Sequence, residues 1–241
     1  MDLKIFKDKN ELAIAVAGKI RNLLVKKPDA LISLPAGESP MGVFRELIRM
    51  NEAGEVDFSS AWFAGLDEWV AIGKDHPASC VRFMYREFFD RINADPERIC
   101  YFDGEADDME KECKRLDEFI ISHGHIDLIL LGVGMNGHLG LNEPGVDPEL
   151  YSHVIPVSDT TREVAFQKYF DQPVELTSGI TLGMKHIRES REIIAIMTGR
   201  HKSEIAKAIL QGPVMNAIPA SLLRIYEHAQ FCLDSPAAEL L

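Results

Sequence analysis

A chain of 241 residues with 46% hydrophobic residues is long enough to bury a sizeable core, and no Ser-, Gly- or Pro-rich linker divides it, so one domain over residues 1–241 is expected. The formal net charge of -12 argues against a nucleic-acid or membrane partner, because both need a basic face on the protein. The four cysteines form no C-x-x-C pair, no apolar run approaches the ~18 residues of a membrane span, and the amino terminus has no apolar signal core, which together predict a cytoplasmic protein without disulfides.

The first predicted elements are a helix over residues 10–26, where apolar residues recur at helical spacing, and a buried strand over residues 30–34. The strand leads into the turn sequence PAGESP and a second helical pattern, with Ser39 expected as the N-cap and Pro40 as the first helical residue. A helix that starts directly after a strand and a glycine turn presents free N–H groups and a positive dipole end. The pattern therefore indicates either a phosphate site or an ordinary strand-to-helix turn.

The next predicted strand, over residues 62–66, ends in the acidic pair Asp67 and Glu68. By pattern alone, acids after a strand form a cap or a solvated turn. Further along the chain, the periodicity predicts a helix over residues 77–91, a strand over 98–102 and a helix over 107–121.

The densest set of polar residues follows a short apolar run at residues 128–131, and it reads GVGMNGHLGLNEPG over residues 132–145. The apolar run predicts a buried parallel strand, and chemistry in open α/β folds lies at the carboxyl edge of such strands. His138 stands five residues before Glu143, so the two can meet as an imidazole oriented by a carboxylate. A solvated glycine turn is the alternative interpretation.

The remaining part of the chain contains two lysines that could bind a phosphate. Lys202 lies on a loop between a predicted strand and helix, where it can reach a phosphate at the same sheet edge, and Lys168 lies near the end of another predicted helix; for both, a solvated surface lysine is the alternative. The predicted elements are a strand over residues 152–157, a helix over 158–170, a turn over 179–183, a strand over 192–197, a helix through 210, a short helix over 222–226 and a strand over 230–233.

Alternation of strands and helices, with polar residues clustered after strands, predicts an α/β fold: a single-domain Rossmann-like open parallel sheet with helices on both faces. The sequence GVGMNG lacks the G-x-G-x-x-G spacing of dinucleotide-binding loops, so no nucleotide cofactor is expected. His123 and His125 find no third or fourth ligand at suitable spacing, so no metal is expected either.

The segment over residues 132–145 resembles the signature G-x-G-x-[DN]-G-H-[IL]-x-[FL]-N-E-P-G of the glucosamine-6-phosphate deaminase/isomerase family. The resemblance extends along nearly the whole chain, through LPAGESP, LDEWV, TSGITLG and TGRHKSE at residues 34–40, 66–70, 177–183 and 198–204. The combination with NAIPASLL near the end looks most like the branch that acts on galactosamine 6-phosphate.

The resemblance implies conversion of a 2-amino-2-deoxyhexose 6-phosphate and water to a ketohexose 6-phosphate and ammonia. Asp67 would be the enolising base, His138 would open the sugar ring, and Glu143 would orient and charge the imidazole. Asn136 stands where better-known relatives carry Asp, and an Asn can orient the ring without adding negative charge. No cofactor is implied.

The same resemblance implies a binding site for the phosphate. It also leaves alternative substrates and functions open. Gly37 and Ser39 would cradle the phosphate, Lys202 and Lys168 would pair with it, and Gly137 would contact the substrate. The expected product is tagatose 6-phosphate from galactosamine 6-phosphate, with fructose 6-phosphate from glucosamine 6-phosphate as the alternative. A 6-phosphogluconolactonase and a non-catalytic sugar-phosphate sensor are further alternatives.

The expected partner is a small-molecule substrate, and the chain could also form a homo-oligomer. Allosterically activated relatives carry a basic S-R-T-R-x-K string after N-E-P, whereas residues 148–161 of this chain contain no Arg or Lys. Hyperbolic kinetics are therefore expected.

Overall fold

The computed structural model describes residues 1–159, 161–163 and 176–241. Within these residues the strands are β1 (Asp2–Phe6), β2 (Leu31–Leu34), β3 (Trp62–Gly65), β4 (Asp67–Trp69), β5 (Ile99–Cys100), β6 (Leu128–Gly132), β7 (His153–Pro156), β8 (Ser178–Thr181), β9 (Ile193–Met197) and β10 (Ala229–Asp234). The α-helices are α1 (Lys9–Lys26), α2 (Met41–Glu52), α3 (Cys80–Glu87), α4 (Met109–Ser122), α5 (Met184–Glu189) and α6 (Ser203–Gln211). None of the helices described is long and apolar enough to cross a membrane.

Seven of the described strands form one parallel sheet in the order β1-β10-β9-β6-β2-β3-β5. Its central strands are continuous apolar runs because helices cover both faces. Along β6, Ile129 and Leu131 pack into one core with residues of α4, α5 and α6, while Leu128 and Leu130 pack into a second core with residues of α1, α2 and α3. This architecture confirms the predicted Rossmann-like fold class.

The strand order reverses between β2 and β6, because the chain runs from β2 outward to β3 and β5, then returns to β6 and continues outward to β9 and β10. A crevice forms outside the carboxyl ends of strands at such a reversal. The loops that follow β2 and β6 meet there: a Cβ built on Gly132 would lie 3.5 Å from the Ser39 Cβ. The sheet thus brings the PAGESP loop beside the glycine-rich segment.

A smaller antiparallel sheet, in the order β4-β8-β7, lies beside this crevice. Its β8 occupies the region predicted as a turn at residues 179–183, so that prediction was wrong. Gly179 pairs with Trp69 in β4 and with Ile155 in β7, and a Cβ on Gly179 would lie 2.1 Å from the Leu141 side chain. The glycines of this stretch serve close packing within a strand.

Two helix starts differ from the predictions. Ser39 does not cap α2, since Pro40 occupies the N-cap position without a side-chain hydrogen bond and the helix begins at Met41. The helix predicted from residue 77 begins at Cys80, where the Ser79 hydroxyl accepts a hydrogen bond from the Arg82 N–H. The first strand, β1, was missed because it lies at the sheet edge with little burial and therefore lacks a clear apolar pattern.

Candidate active site

A cavity of about 960 Å³ opens at the carboxyl edge of the parallel sheet. Its wall combines residues from the loops after β2, β3, β6 and β9. Of the residues singled out from the sequence, the cavity is lined by Gly37, Ser39, Asp67, His138 and Lys202. Lys168, which the sequence analysis placed on the phosphate, lies outside the described residues.

Asp67 begins β4, two residues after the end of β3, and lines the cavity. It is partly buried beside Glu68, and burial followed by the neighbouring charge raises the pKa of Asp67 to about 7. The Cys80 thiol opposes this shift by hydrogen bonding to the Asp67 carboxyl. An acid with a pKa near neutrality can both accept and return a proton at physiological pH.

His138 lies on the loop after β6 and is connected to Glu143 through Asn136. The Asn136 Oδ1 lies 2.7 Å from His138 Nδ1 and also accepts from the His138 backbone N–H at 3.1 Å. The Asn136 Nδ2 donates to Glu143 Oε2 at 2.9 Å. Asn136 thus contacts the imidazole directly, in the position predicted from the sequence for Glu143. The Glu143 carboxylate acts on the ring through Asn136.

This chain of contacts fixes the tautomer of the imidazole. An amide oxygen can only accept, so Nδ1 carries the hydrogen and Nε2 keeps a free lone pair. The amide itself cannot turn over, because its oxygen would then face the Glu143 carboxylate. Burial lowers the pKa of His138, and Lys202 lowers it further while Glu143 opposes the shift. The ring is therefore neutral near pH 7 and available as a proton acceptor.

Two glycines shape the loop around the imidazole. A Cβ on Gly134 would lie 2.3 Å from the His138 ring, so the ring packs directly on the bare backbone at this position. Gly137 adopts a φ of 85°, and a Cβ there would lie 2.6 Å from the Ile218 side chain. The Gly137 N–H donates to the Gly134 carbonyl and its own carbonyl accepts from the Ala220 N–H, so both groups hold the loop, and the contact of Gly137 with a substrate stays a prediction.

The cavity is also lined by residues that can donate hydrogen bonds to an anion. Gly37, with a φ of 109°, turns the chain between β2 and α2, so that the loop and helix start face the cavity. Because Ser39 does not cap α2, its hydroxyl is not committed to the helix. The Lys202 ammonium donates to the Val133 carbonyl at 2.6 Å, which holds the side chain across the cavity mouth from α6 to the loop after β6.

One residue that contacts the imidazole was not predicted from the sequence. The Thr161 hydroxyl lies 3.3 Å from His138 Nδ1, and the Ser158 hydroxyl donates to Thr161 Oγ1 at 3.1 Å. The S-x-x-T spacing could have indicated a helix cap at this point, but no sequence pattern shows that the threonine reaches a loop 23 residues earlier. Across the described ranges, no group of three or more His, Cys, Asp or Glu side chains is placed to hold a metal ion.

The described cavity holds the parts needed for proton transfer on a small anionic substrate. A carboxyl with a pKa near 7, a neutral imidazole and the loop before α2 all line it. This arrangement suits enolisation of a sugar phosphate, in which protons move between neighbouring atoms while the phosphate is held.

Comparison with known proteins agrees with this chemistry. The family model for glucosamine-6-phosphate isomerases and 6-phosphogluconolactonases matches residues 7–231. The chain is 34% identical over 242 residues to a glucosamine-6-phosphate deaminase of Clostridium perfringens (strain 13 / Type A), covering 100% of both chains. Among solved structures, a monomeric glucosamine-6-phosphate deaminase superimposes with a TM-score of 0.95 at 31% identity over 100% of both chains.

A more distant structure shares the fold alone. The 6-phosphogluconolactonase of Thermotoga maritima superimposes with a TM-score of 0.76 at 21% identity and covers 97% of this chain and 99% of its own. The fold is therefore common to two enzyme classes, and the side chains of the cavity must distinguish them.

Proposed function

The chain belongs to the glucosamine-6-phosphate deaminase/isomerase family, and we propose that it converts glucosamine 6-phosphate and water to fructose 6-phosphate and ammonia. The observation that supports the proposal is a single cavity lined by both Asp67, with its pKa near 7, and the neutral imidazole of His138. The reaction needs these two groups and a hold on the phosphate.

Ring opening is the first task, and it falls to His138. The free Nε2 takes the proton of the anomeric hydroxyl and delivers it to the ring oxygen, which breaks the bond between the ring oxygen and C1. Asn136 and Glu143 keep the ring in the required tautomer and stabilise the imidazolium that forms in between. Thr161 supports the same nitrogen.

Isomerisation follows on Asp67. The ionised carboxylate removes the proton from C2 of the open-chain sugar and returns it to C1, while a proton passes from the amino nitrogen to the C1 oxygen; this leaves a hydroxyl at C1 and an imine at C2. Water then adds to C2 and ammonia leaves, so the products are a ketohexose 6-phosphate and ammonia. One water molecule balances the release of nitrogen and the uptake of oxygen.

Phosphate binding orients the substrate for these steps. We assign the phosphate to the Gly37 and Ser39 loop and to Lys202, where backbone N–H groups and an ammonium converge on the cavity. Binding energy from this remote group holds C1 and C2 against Asp67 and His138.

The names of the relatives support glucosamine 6-phosphate, the reading that the sequence analysis had placed second to galactosamine 6-phosphate. The two sugars differ only in the orientation of the C4 hydroxyl. The monomeric state of the similar solved structure supports a monomer for this chain as well.

The proposal is tested by supplying the purified protein with glucosamine 6-phosphate, galactosamine 6-phosphate and 6-phosphogluconolactone in parallel. We expect ammonia and fructose 6-phosphate in equal amounts from the first substrate, with the highest kcat/KM of the three. Preference for the galacto sugar would reverse the substrate assignment, and lactone hydrolysis without ammonia release would refute the proposed reaction.

A further inference from the structure

Glu68 follows the proposed base directly in sequence, yet it points away from the cavity and the reaction does not use it. Its side chain is only 1% exposed. Oε1 accepts from the backbone N–H groups of Trp69 and Cys80, both at 2.9 Å. Oε2 accepts from the Ser79 hydroxyl at 2.7 Å and from the Val81 N–H at 3.1 Å. Four donors thus converge on one buried carboxylate.

Three of these donors belong to the amino end of α3. The N–H groups of Cys80 and Val81 lie in the first helical turn, where they have no partner within the helix. A carboxylate at this end also meets the positive end of the helix dipole. Glu68 therefore binds the start of α3 to β4, the strand that begins with Asp67.

The helix start held in this way carries Cys80, which lines the cavity together with Asp67 and Ser79. Its side chain is buried, and the thiol interacts with the carboxyls of both Asp67 and Glu68. One side of the base is thus formed by α3, and the position of that helix depends on Glu68.

We propose that Glu68 is a positioning residue for Asp67: by fixing the amino end of α3 to β4, it holds the Cys80 thiol against the Asp67 carboxyl and keeps that carboxyl aligned for proton transfer. The inference rests on the proposed function of Asp67 as the enolising base. Because every contact of Glu68 is a donor aimed at its oxygens, the arrangement requires an acceptor-only carboxylate and not an amide.

The ionisable groups that face Asp67 affect its titration in opposite directions. Glu68, on the same strand, raises the pKa of Asp67, whereas the Cys80 thiol lowers it. Tyr101, which follows β5, is the third group near this carboxyl. Burial raises the pKa of Cys80 and that of Tyr101 well above their usual ranges, so both stay neutral where the enzyme works.

The test compares Glu68→Gln and Cys80→Ala with Cys80→Ser and the wild-type protein. Glu68→Gln should lower kcat at least ~10-fold with KM little changed, since misplacing a catalytic group by about 1 Å can cost up to ~100-fold. Its acid limb in the pH profile should be the same with and without an added Cys80→Ala, because the thiol that this second substitution removes has already lost its contact with Asp67. Cys80→Ala should move the acid limb to higher pH, and Cys80→Ser, which keeps a donor, should restore it.

Glu112→Gln is the matched control. Glu112 is also a buried glutamate, and it accepts from the Asp103 N–H at 2.7 Å and pairs with Arg115, but it does not line the cavity. Its substitution should reduce thermal stability and leave the acid limb in place. If Glu68→Gln does not fold, Ser79→Ala, which removes one of the donors that bind Glu68 to the start of α3, takes its place in the same comparison.

Titration of the Asp67 carboxyl by carbon NMR, assigned with Asp67→Asn, gives a readout that is independent of turnover. The carboxyl titration of Asp67 should move to higher pH when Cys80→Ala is made in the wild-type protein and should not move when it is added to Glu68→Gln, because the thiol has then already lost its contact with the carboxyl. This result supports the positioning role even if the wild-type protein fails to release ammonia, which would refute only the proposed function. An equal movement in both backgrounds would contradict the positioning role. Acid limbs and carboxyl titrations that match wild type in both variants, or that move as in Glu112→Gln, would overturn the inference.

Discussion

Burial acts on Asp67 and His138 in the same physical way, since it disfavours the charged form of each group. The two pKa values shift in opposite directions, because the charged form of a carboxyl is its base, whereas the charged form of an imidazole is its acid. The pKa of Asp67 rises to about 7, and the pKa of His138 falls. Near neutral pH the carboxyl is partly ionised while the imidazole is neutral, so both can accept a proton from the substrate.

A pH dependence follows from these two shifts. Asp67 must be ionised to remove the C2 proton, so activity should be lost as the pH falls through about 7. His138 contributes no loss in this range, because its lowered pKa keeps it neutral. The acid limb of kcat/KM, which reports the free enzyme, checks the expectation. An acid limb near the ordinary pKa of an aspartate, close to 4, would contradict it.

Lys202 is expected to act on substrate binding. A contact between lysine and phosphate persists from the ground state to the transition state, so its loss raises KM and affects kcat less. Lys202→Ala should raise KM about 10- to 100-fold, the equivalent of the ~1.5–3 kcal/mol typical of a hydrogen bond to a charged group. Lys207→Ala, an exposed lysine on α6, is the control and should match wild type. Unchanged KM in Lys202→Ala would remove the phosphate assignment.

The loop after β6 holds the imidazole of His138 in position. Gly134 lets the imidazole rest on the backbone, Asn136 fixes its tautomer, and Asn142 anchors the far end of the loop through its side-chain amide, which donates to the carbonyls of Leu139 and Leu182 at 2.8 Å each. Side chains thus satisfy the backbone N–H of His138 and the carbonyl of Leu139 within the loop. Catalytic geometry of this kind needs such support from neighbouring contacts.

Gly134→Ala tests the role of this loop. The added methyl would lie 2.3 Å from the His138 ring, which cannot move without breaking its contacts to Asn136 and Thr161. We expect kcat to fall at least ~10-fold in a folded protein, since small displacements of catalytic groups are costly. Gly18→Ala is the control, because its methyl would meet nothing within 4 Å and should leave kinetics unchanged. Wild-type kcat in Gly134→Ala would show that the ring position is not critical.

Those parts of the fold were predicted correctly whose residue pattern has only one structural explanation. Buried parallel strands require continuous apolar runs, so β2, β6 and β9 and the sheet edge where polar residues gather were predicted correctly. The antiparallel strand β8 was not, because glycines that allow close packing look like a turn in the sequence.

The contacts within the site were less predictable. The position of Asn136 between His138 and Glu143, the contact of Thr161 with the ring, and the four donors on Glu68 arise from tertiary packing between distant segments. No spacing rule encodes such contacts, since they depend on how the loops fold back on the sheet.

We also predict that a second sugar phosphate does not activate this enzyme allosterically. Residues 148–161 contain no Arg or Lys, and the nearest cations from α5 are engaged, with Lys185 over the Tyr151 ring at 4.2 Å and Arg188 donating to Glu149 at 3.0 Å. An effector shifts an equilibrium only through differential contacts, and the charge-assisted ones to a second phosphate are missing from this stretch. We expect hyperbolic kinetics that N-acetylglucosamine 6-phosphate does not alter. A sigmoidal curve made hyperbolic by that compound would contradict this expectation.

The central claim is that Asp67 removes the C2 proton of an amino sugar phosphate. It is tested most directly by measuring ammonia release from glucosamine 6-phosphate by wild-type protein and by Asp67→Asn, together with substrate binding to each by calorimetry. We predict that kcat falls at least ~100-fold, the usual scale of general base catalysis, while the dissociation constant stays close to that of wild type because the phosphate grip is intact. Near-normal ammonia release by a correctly folded Asp67→Asn protein would contradict the claim.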